Sequence, residues 1–426
     1  MVPIMMLLVI LALLAIGVPI AFTLGITAAV FLIIYADIPM VVIIQQLYLG
    51  TNSFPLLAIP LFMLAGSLMN YGGISTRLIN FALSIIGMVK GGLGMVNVVA
   101  SVFFGAITGT AAGASAAVGQ IMIPAMKEKG YSASFSAAVT SAGSSLGIII
   151  PPSVPMILYG SISGLSVATL FFAGIPIGIG IAIGFMIVVY IISVKKNYDF
   201  KEQPFSWKLV FKTFVSAVPA LFVPVAIMGG IVTGFATPTE SAAIAVICGI
   251  IAGIIYRQLT WTGFKKALNE SVVNTALVML IVATAKILGF SFSALGIGRM
   301  MMEPLMAYSE NPIMLMLLAS LILFIGGFIF DGTVMVLVIV PLFLPLVEAT
   351  AIDPLQFAMV VIIVWAIGQQ TPPVASGLYI TTAIAQVSML QVSRYNIWFI
   401  LVFFVALMGM IFIPDVMLYI PRMIIP

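Results

Sequence analysis

The segments Gly147-Ile-Ile-Ile-Pro151-Pro152 and Gly368-Gln-Gln-Thr-Pro372-Pro373 lie 221 residues apart, each within a long apolar stretch. Two adjacent prolines remove two backbone donors and clash with the preceding turn, so a helix that reaches them breaks. In apolar surroundings the unpaired carbonyls cost on the order of several kcal/mol each unless another group binds them. The two segments therefore predict two broken helices with carbonyl oxygens left for a ligand.

Other residues repeat the spacing between these two segments. One matched pair would mean little, but an ordered series indicates an internal duplication. Pairs at offsets of 219 to 222 residues are Pro124 and Pro345, Gly105 and Gly326, Ser166 and Ser388, and Pro19 and Pro238.

The composition excludes a water-soluble globular protein. Of 426 residues, 63% are hydrophobic and 7% are charged, whereas about a quarter are charged in an ordinary soluble domain. The absence of histidine and the single Cys248 exclude histidine metal sites, zinc clusters, Cys/His nucleophile pairs and intramolecular disulfides. The 16 basic residues are too few and too scattered for binding to nucleic acid.

Apolar stretches of the length that a transmembrane helix needs, ~20 residues, fill most of the chain. They predict an all-α polytopic membrane protein. About ten spans are expected, at 3–16, 18–35, 55–87, 132–162, 166–193, 214–233, 238–256, 271–296, 354–385 and 395–414. The segments 205–212 and 259–266, each with Ser or Thr before Trp and then Lys, are expected to form short interfacial helices.

Two further apolar stretches, 93–126 and 312–348, are interrupted by Thr108-Gly109-Thr110 and Asp331-Gly332-Thr333. Each is predicted to be a re-entrant hairpin that enters and leaves the membrane on one side. With the N-terminus outside, 13 of the basic residues fall on one side and two on the other, with Lys286 inside a span. The excess of basic residues in cytoplasmic loops then places both termini in the periplasm.

Each half of the chain is predicted to contain one hairpin and one broken helix. Residues 1–215 contain the hairpin at 93–126 and the broken helix at 132–162. Because the two hairpins open on opposite sides, the copies are inverted, which is typical of secondary transporters with alternating access. Residues 216–426 contain the hairpin at 312–348 and the broken helix at 354–385.

Hydroxyls and glycines cluster near the hairpin turns and the proline breaks. Freed carbonyls and helix C-termini coordinate sodium in broken-helix transporters, so we expect two sodium sites. The same small residues would also allow close helix packing. The candidate ligands are Thr108, Thr110, Gly113, Ser115, Ser144, Ser145 and Gly147 in the first half, and Gly332, Thr333, Gly368 and Thr371 in the second.

Ionisable residues within apolar sequence are functional candidates. Asp331, at a predicted hairpin turn, is expected to complete a cation site or to hydrogen-bond substrate. Lys286 either attracts an anion or contacts the interior of the bundle, whereas Glu240 is expected to cap a helix. Ser166 and Ser388 follow the broken helices, and each either caps the next helix or presents its N-terminus to a substrate carboxylate.

Four segments, at 124–131, 147–153, 237–240 and 368–373, resemble the large membrane subunit of TRAP (tripartite ATP-independent periplasmic) transporters. The resemblance runs essentially from end to end. It implies a sodium-driven importer of organic acids in the bacterial inner membrane, which works by an elevator movement with a small four-helix membrane subunit and a periplasmic substrate-binding protein. It also implies that the hairpin and proline-break positions, Ser153 among them, form the sodium and substrate region.

The resemblance implies substrates such as C4-dicarboxylates, sialic acids and other sugar or keto acids. A sialic-acid member is the expectation, but no residue in the chain decides among these substrates. The polar Gln369-Gln370 departs from many relatives, which are more apolar there. The transport domain is expected to comprise both hairpins and both broken helices, and the scaffold to comprise about 1–88 and 171–300. Sodium is the expected energy source, because the chain has no phosphate-binding loop for ATP.

Two alternatives stay open from the sequence. A stand-alone ion-coupled carboxylate transporter would need no partner subunits. An intramembrane hydrolase would use a serine with Lys286 as its base, but no particular serine is placed beside it.

Overall fold

The computed structural model describes residues 2–198, 206–308, 311–372 and 375–424, and within these ranges the secondary structure is helical, without β-strands. The first half contains α1 (Val2–Ala15), α2 (Ile20–Ala36), α3 (Met40–Thr51), α4 (Ala58–Tyr71), α5 (Ile74–Ile86), α6 (Gly92–Thr108), α7 (Ala111–Glu128), α8 (Ala133–Ser145), α9 (Val154–Ser163) and α10 (Val167–Lys195).

The second half is also helical in its described ranges. A π-helical turn, Met335–Ile339, joins two of its helices into one segment. Its elements are α11 (Trp207–Val232), α12 (Pro238–Ile255), α13 (Trp261–Ala294), α14 (Ile297–Tyr308), α15 (Pro312–Ile329), α16 (Gly332–Val334), α17 (Val340–Ala349), α18 (Pro354–Gly368), α19 (Ser376–Ala385), α20 (Met389–Phe412), α21 (Pro414–Met417) and α22 (Tyr419–Ile424).

Seven helical segments in the described ranges are long and apolar enough to cross a membrane. Shorter apolar helices of 10–17 residues account for most of the remaining apolar sequence. The seven are Phe54–Tyr71, Val167–Lys195, Trp207–Val232, Pro238–Ile255, Trp261–Ala294, Gly332–Ala349 and Met389–Phe412.

Three local predictions are wrong. The span predicted at 55–87 is two helices, because the chain turns at Gly72 and at Gly73, whose φ of 72° suits glycine. Short interfacial helices were expected at 205–212 and 259–266, but Ser206 and Thr260 instead cap the long helices α11 and α13. No helix-breaking residue follows either cap for several turns, so each helix continues into the membrane span. Phe205 lies outside the described residues.

Both helices that approach the paired prolines end before them. Helix α8 ends at Ser145 and is followed by one 3₁₀ turn, Leu146–Ile148, and α9 starts only at Val154. Helix α18 ends at Gly368, and α19 starts at Ser376. Pro373, the second proline of that pair, lies outside the described residues. Each break leaves a short non-helical segment inside the helical bundle.

Glycines bring each broken helix against the helix pair before it. A Cβ on Gly105 of α6 would lie 2.7 Å from the nitrogen of Gly147 and would overlap its Cα. In the second half, a Cβ on Gly368 would lie 3.4 Å from the carbonyl oxygen of Gly327 in α15. The backbones therefore touch at both breaks, with glycine on both sides of each contact.

The two broken helices enter the bundle from opposite ends. Phe135, in the first turn of α8, packs edge-on against Tyr395 near the start of α20, with ring centroids 5.5 Å apart. Gln356, in the first turn of α18, donates its Nε2 to the carbonyl of Met410 near the end of α20, at 2.8 Å. Tyr395 and Met410 are about 22 Å apart along the helix at 1.5 Å per residue. Helices α8 and α18 therefore run in opposite directions.

The helices form two groups by contact. Helices α2, α3, α4, α12 and α13 pack on one another, and α11 packs on α5 and α12. Helices α6 to α10 and α15 to α20 form the second group, called the hairpin group because it contains both hairpins. The predicted scaffold at 171–300 included most of α10, but this helix packs on α6, α9, α18 and α20, where Phe185 meets the rings of Phe399 and Phe403. It belongs with the hairpin group, because Gly174 and Gly178 let Ile149 and Ile150 pack against its backbone.

The contact between Gly105 and Gly147 predicts a specific sensitivity to one added methyl group. Gly105→Ala should lower the melting temperature of the purified protein in detergent, because overpacking a filled interior typically costs about 1–3 kcal/mol. Gly180→Ala is the matched control, since no neighbouring atom lies within 4 Å of the position that a Cβ would take on this helical glycine of α10. Equal melting temperatures for the two variants would contradict close backbone packing at the break.

Candidate functional site

The turns of both hairpins and the ends of both broken helices meet around one cavity of about 160 Å³. One side of the cavity is closed by Met63 of α4 and Val278 of α13, which belong to the helix group outside the hairpin group. The cavity therefore lies between the two groups of helices. Its remaining walls are formed by Thr110, Ala111, Ala112, Ile148, Val154, Pro155, Asp331, Thr333, Trp365, Gln369 and Ser376.

Four helices point their N-termini towards this cavity. Thr110 caps α7 by accepting a hydrogen bond from the nitrogen of Gly113 at 3.2 Å, and Ser153 caps α9. Asp331 caps the segment Gly332–Ala349, and α19 starts with Ser376. Helix N-termini carry free amide groups and a partial positive charge. No lysine or arginine in the described part of the chain lines the cavity, so these helix ends are its main source of positive potential.

Asp331 is held in place by two donors. Its Oδ1 accepts a hydrogen bond from the nitrogen of Thr333 at 2.9 Å, and its Oδ2 accepts one from Nε2 of Gln369 at 3.1 Å. The amide oxygen of Gln369 in turn accepts a hydrogen bond from Ser376 Oγ. The carboxylate thus connects the second hairpin to both sides of the second helix break. Gly332 is required beside it, because any Cβ would overlap the indole of Trp365.

Unpaired hydroxyl groups lie deeper, between α7, α8 and α19. Ser115 and Ser144 are fully buried, and neither Oγ has a hydrogen-bond partner in the described part of the chain. A Cβ on Gly377 of α19 would lie 3.2 Å from Ser115 Oγ and 3.7 Å from Ser141 Oγ. The hydroxyls of Ser115 and Ser141 therefore both face Gly377. Ser144 lies one turn further along the same side of α8.

Gln370 joins the two broken helices directly. Its Nε2 donates to the carbonyl of Ser141 at 2.8 Å and to the hydroxyl of Ser145, while its Oε1 accepts from Ser141 Oγ at 3.0 Å. Its own carbonyl accepts a hydrogen bond from Asn396 of α20 at 2.7 Å. The amide oxygen of Asn396 has no partner among the described residues. The Gln369-Gln370 pair, noticed in the sequence only as unusual polarity, thus connects the two halves.

The structure brings together most of the predicted site residues. Around the cavity and the two breaks lie Thr108, Thr110, Gly113, Ser115, Ser144, Ser145, Gly147, Ser153, Asp331, Gly332, Thr333, Gly368 and Thr371. Several of their hydroxyls bond to nearby backbone carbonyls, such as Thr108 to Phe104 at 2.9 Å and Thr371 to Ile367 at 3.2 Å.

Ser166 and Ser388 do not line the cavity. Ser166 caps α10 by accepting a hydrogen bond from the nitrogen of Thr169 at 3.4 Å. Ser388 occupies the N-cap of α20, where its nitrogen donates to Gln391 Oε1 at 3.2 Å. Both helices start away from the hairpin turns, and a role of these two serines in substrate binding stays a prediction. The capping alternative describes both residues.

Lys286 and Glu240 are also separate from the cavity. Lys286 lines a different crevice of about 450 Å³, between α3, α13 and α17, together with Glu348. Glu240 accepts a hydrogen bond from the nitrogen of Thr237 at 2.7 Å and closes a capping box, as expected. The described ranges contain no spatial cluster of three or more histidine, cysteine, aspartate or glutamate side chains that could hold a metal ion.

The sequence analysis missed several residues of the site. Trp365 and Ser376 line the cavity, and Ser141 and Asn396 hold Gln370. A buried asparagine in the first half, Asn97, likewise donates to Thr140 at 2.7 Å. Their common signal is a polar or indole side chain within an apolar helix near a break. That signal is visible in the sequence, but it does not say which of these side chains meet.

Comparisons with known proteins agree on one family. Residues 7–416 match the family described as the tripartite ATP-independent periplasmic transporter, DctM component. The chain is 33% identical over 414 residues to the sialic acid TRAP transporter large permease protein SiaM of Vibrio cholerae serotype O1, covering 97% of each chain. It is 32% identical over 432 residues to the C4-dicarboxylate TRAP transporter large permease protein DctM of the same organism, covering 96% of this chain and 95% of the relative.

A solved structure is similar in fold. The crystal structure of the Alcanivorax borkumensis YdaH transporter matches with a TM-score of 0.59 and 13% sequence identity, covering 89% of both chains. The named relatives are permease components and not enzymes, which removes the hydrolase alternative. The resemblance found in the sequence is confirmed: the chain belongs to the DctM component family, the large membrane subunit of the tripartite ATP-independent periplasmic transporters.

Proposed function

We propose that this subunit imports an organic acid anion across a bacterial inner membrane and that a sodium gradient drives the transport. The observation that carries the proposal is the cavity of about 160 Å³ onto which four helix N-termini converge. A periplasmic binding protein would deliver the substrate, and a small four-helix membrane subunit would complete the permease. Both partners follow from the family, whose name includes three parts and a periplasmic component.

An anionic substrate fits a site without lysine or arginine. Free amides and the positive ends of helix dipoles stabilise carboxylates and phosphates in proteins. Broken helices in transporters present their N-termini to anionic groups of the substrate in this way. The named relatives transport sialic acid and C4-dicarboxylates, so the proposed substrate class is an organic acid. A cavity of about 160 Å³ is small beside the ~300–1,000 Å³ of drug-sized pockets, which favours the smaller acids.

Sodium ions would supply the charge that the site needs. The carboxylate of Asp331 and the substrate are both negative, and no basic side chain lines the cavity. Leaving a buried hydroxyl unpaired costs about 1–3 kcal/mol, and a bound cation would offset this at Ser115 and Ser144. We propose two or more coupling ions, one near these hydroxyls and the Gly147 break, and one near Asp331, Gly332, Thr333, Gly368 and Thr371.

Alternating access would come from movement of one helix group against the other. The opposite directions of α8 and α18 support an inverted duplication at residues 1–215 and 216–426. The caps of corresponding helices support it too, because Ser132 and Asp353, and Thr110 and Asp331, are each 221 residues apart. We propose that the hairpin group, with α10, moves as an elevator past α2–α4 and α11–α13. Met63 and Val278 would then close or expose the cavity.

The proposed orientation places the basic loops in the cytoplasm and both termini in the periplasm. The packing at the two ends supports it. Tyr131 and Tyr198 follow lysines of two loops on the basic side, and their tilted rings lie with centroids 4.7 Å apart. At the other end, Arg422 pairs with Asp353 at 2.6 Å and with Asp415 at 2.7 Å. Residues assigned to one side therefore contact each other.

Reconstitution tests the function and its main alternative. Proteoliposomes that contain this chain and its small subunit should take up an organic acid only with an inward sodium gradient and with the periplasmic protein present. C4-dicarboxylates and sialic acid should be compared as competitors. Sodium-driven uptake by this chain without either partner would instead establish a stand-alone carboxylate transporter. Uptake that is unchanged when potassium replaces sodium would contradict sodium coupling.

Asp331→Asn should lower maximal uptake at least tenfold while expression is maintained. The substitution keeps the shape and the cap on Thr333, but it removes the charge that would hold a cation. It also replaces the oxygen that accepts from Gln369 Nε2 by an amide nitrogen, so the melting temperature is measured alongside uptake. Asp353→Asn is the matched control, because Asp353 is also a carboxylate helix cap and lies at the partly exposed end of α18, paired with Arg422. Near-normal uptake by Asp331→Asn would remove this carboxylate from the site.

Ser144→Ala should raise the sodium concentration for half-maximal uptake severalfold, because it deletes one proposed ligand oxygen. The melting temperature in sodium-free buffer should not fall, since the lost hydroxyl has no hydrogen bond among the described residues. Ser320→Ala is the control, because this buried hydroxyl bonds to the carbonyl of Met316 in its own helix at 2.7 Å. An unchanged sodium dependence in Ser144→Ala would assign this hydroxyl to packing alone.

A further inference from the structure

A further concave site lies away from the cavity at the two helix breaks, where α10 ends and α20 begins. Its volume is about 710 Å³, and its walls are the first turn of α8, the last two turns of α10 and the first three turns of α20. None of the proposed sodium or substrate ligands lines it. The residues that decide its chemistry are Lys195, Lys196, Arg394, Trp398, Ile191 and Val188.

Three positive charges surround the mouth of this pocket. Lys195 is the last residue of α10, Lys196 follows it, and Arg394 lies in the second turn of α20. Among the described residues, no acidic side chain lines the pocket. Within the described ranges no ion pair links any of the three cations to a carboxylate. Ser134 and Gln391 add hydrogen-bonding groups at the same end. The mouth is therefore suited to an anion with several oxygen atoms.

The wall that continues from this mouth along α10 and α20 is apolar. Further along both helices from the three cations, the pocket is lined by Val188 and Ile191 of α10 and by Trp398 of α20. Ile191 is 45% exposed and Trp398 is 54% exposed, although both lie on helices that are long and apolar enough to cross a membrane. A small hydrophilic anion would leave the apolar wall uncovered, whereas a molecule with a charged head and apolar chains would cover both the basic mouth and the apolar wall.

The position along the helices agrees with such a ligand. Helix α10 is apolar over most of its 29 residues and ends at Lys195, so the three cations stand where the span meets water. Tryptophan is enriched at that level of a bilayer. Basic pockets between membrane helices bind the head groups of anionic lipids, and each lysine or arginine there attracts the negative surface.

We propose that this pocket is a binding site for an anionic phospholipid. The phosphate would lie between Lys195, Lys196 and Arg394, and an acyl chain would lie along Ile191 and Trp398. Bound there, the lipid joins the end of α10 to the start of α20 and reduces the repulsion between their cations. The site belongs to the helix group that contains both hairpins, so the lipid would stay with that group.

Thermal unfolding of the detergent-purified full chain tests this site with three probes: phosphatidylglycerol, phosphatidylcholine and inorganic phosphate. Phosphatidylglycerol should raise the melting temperature in a saturable way. Phosphatidylcholine lacks the net charge and inorganic phosphate lacks the chains, so neither should do so at equal concentration. Equal stabilisation by inorganic phosphate would overturn the lipid assignment in favour of a free-anion site, and equal stabilisation by phosphatidylcholine would overturn the charge recognition.

The triple variant Lys195→Gln, Lys196→Gln, Arg394→Gln should bind phosphatidylglycerol at least tenfold more weakly than the original chain. The matched control is Lys208→Gln, Lys212→Gln, Lys266→Gln, which removes three exposed cations from outside the pocket. Equal loss in both variants, or no loss in the first, would overturn the proposal.

Arg394→Lys keeps the charge and should retain binding. It is the conservative comparison to use if the triple variant does not fold. If the triple variant unfolds without lipid, the single variant Arg394→Gln decides between the outcomes. Its affinity for phosphatidylglycerol should fall severalfold below that of Arg394→Lys. Equal affinities of the two single variants would count against a phosphate held by this guanidinium. Because the readout is lipid binding, a failure of the proposed transport function would leave the result unaffected.

Discussion

A helix inside a membrane must satisfy its own backbone hydrogen bonds, and this protein breaks that rule at two places. Helix α8 ends at Ser145, before Pro151-Pro152, and helix α18 ends at Gly368, before Pro372, and both ends lie within the bundle. Such breaks are tolerated only where the freed groups are buried in protein or line a cavity. Both conditions occur here, because glycine contacts enclose the breaks and the hairpin turns lie beside them.

The breaks also explain how a largely uncharged interior can serve an anion. Each interrupted helix creates a new N-terminus, and these two ends converge on one cavity with the two helix N-termini that follow the hairpin turns. Positive potential thus comes from backbone amides, which avoids the large desolvation cost of burying lysine or arginine. The one carboxylate at the cavity, Asp331, is bonded to Thr333 and Gln369. The basic side chains stand instead at the ends of the helices, where the proposed lipid pocket uses three of them.

Polar side chains hold the two halves of this site in register. Gln370 bonds to Ser141 and Ser145 across the interface and to Asn396 behind it, and all four side chains are buried. In apolar surroundings such bonds are specific, because a misplaced partner leaves a buried polar group unpaired. The small residues Gly105, Gly147 and Gly377 serve the same end by letting backbones and hydroxyls approach closely.

The amino-acid sequence was sufficient to predict a helical membrane protein with two broken helices. It located many of the residues that gather at the breaks, although it missed Trp365, Ser376, Ser141 and Asn396. These properties depend on local chemistry: apolar length sets the spans, adjacent prolines stop a helix, and Thr, Ser or Asp before a helix caps it. The sequence did not reveal that 55–87 is two helices or that α10 packs with the hairpins, since both depend on which glycines meet which neighbours.

The assignment of partners came from the packing of the helices. Nothing in the chain order distinguishes Asp331, which faces the cavity, from Lys286, which faces a separate crevice. Ser166 and Ser153 are both helix caps, yet only the helix that Ser153 caps contributes to the cavity wall. Side chains 225 or 229 residues apart, such as those bonded to Gln370, meet only when two helices from opposite ends of the bundle are packed together. Local sequence fixes what each residue can do, and packing fixes which residues do it together.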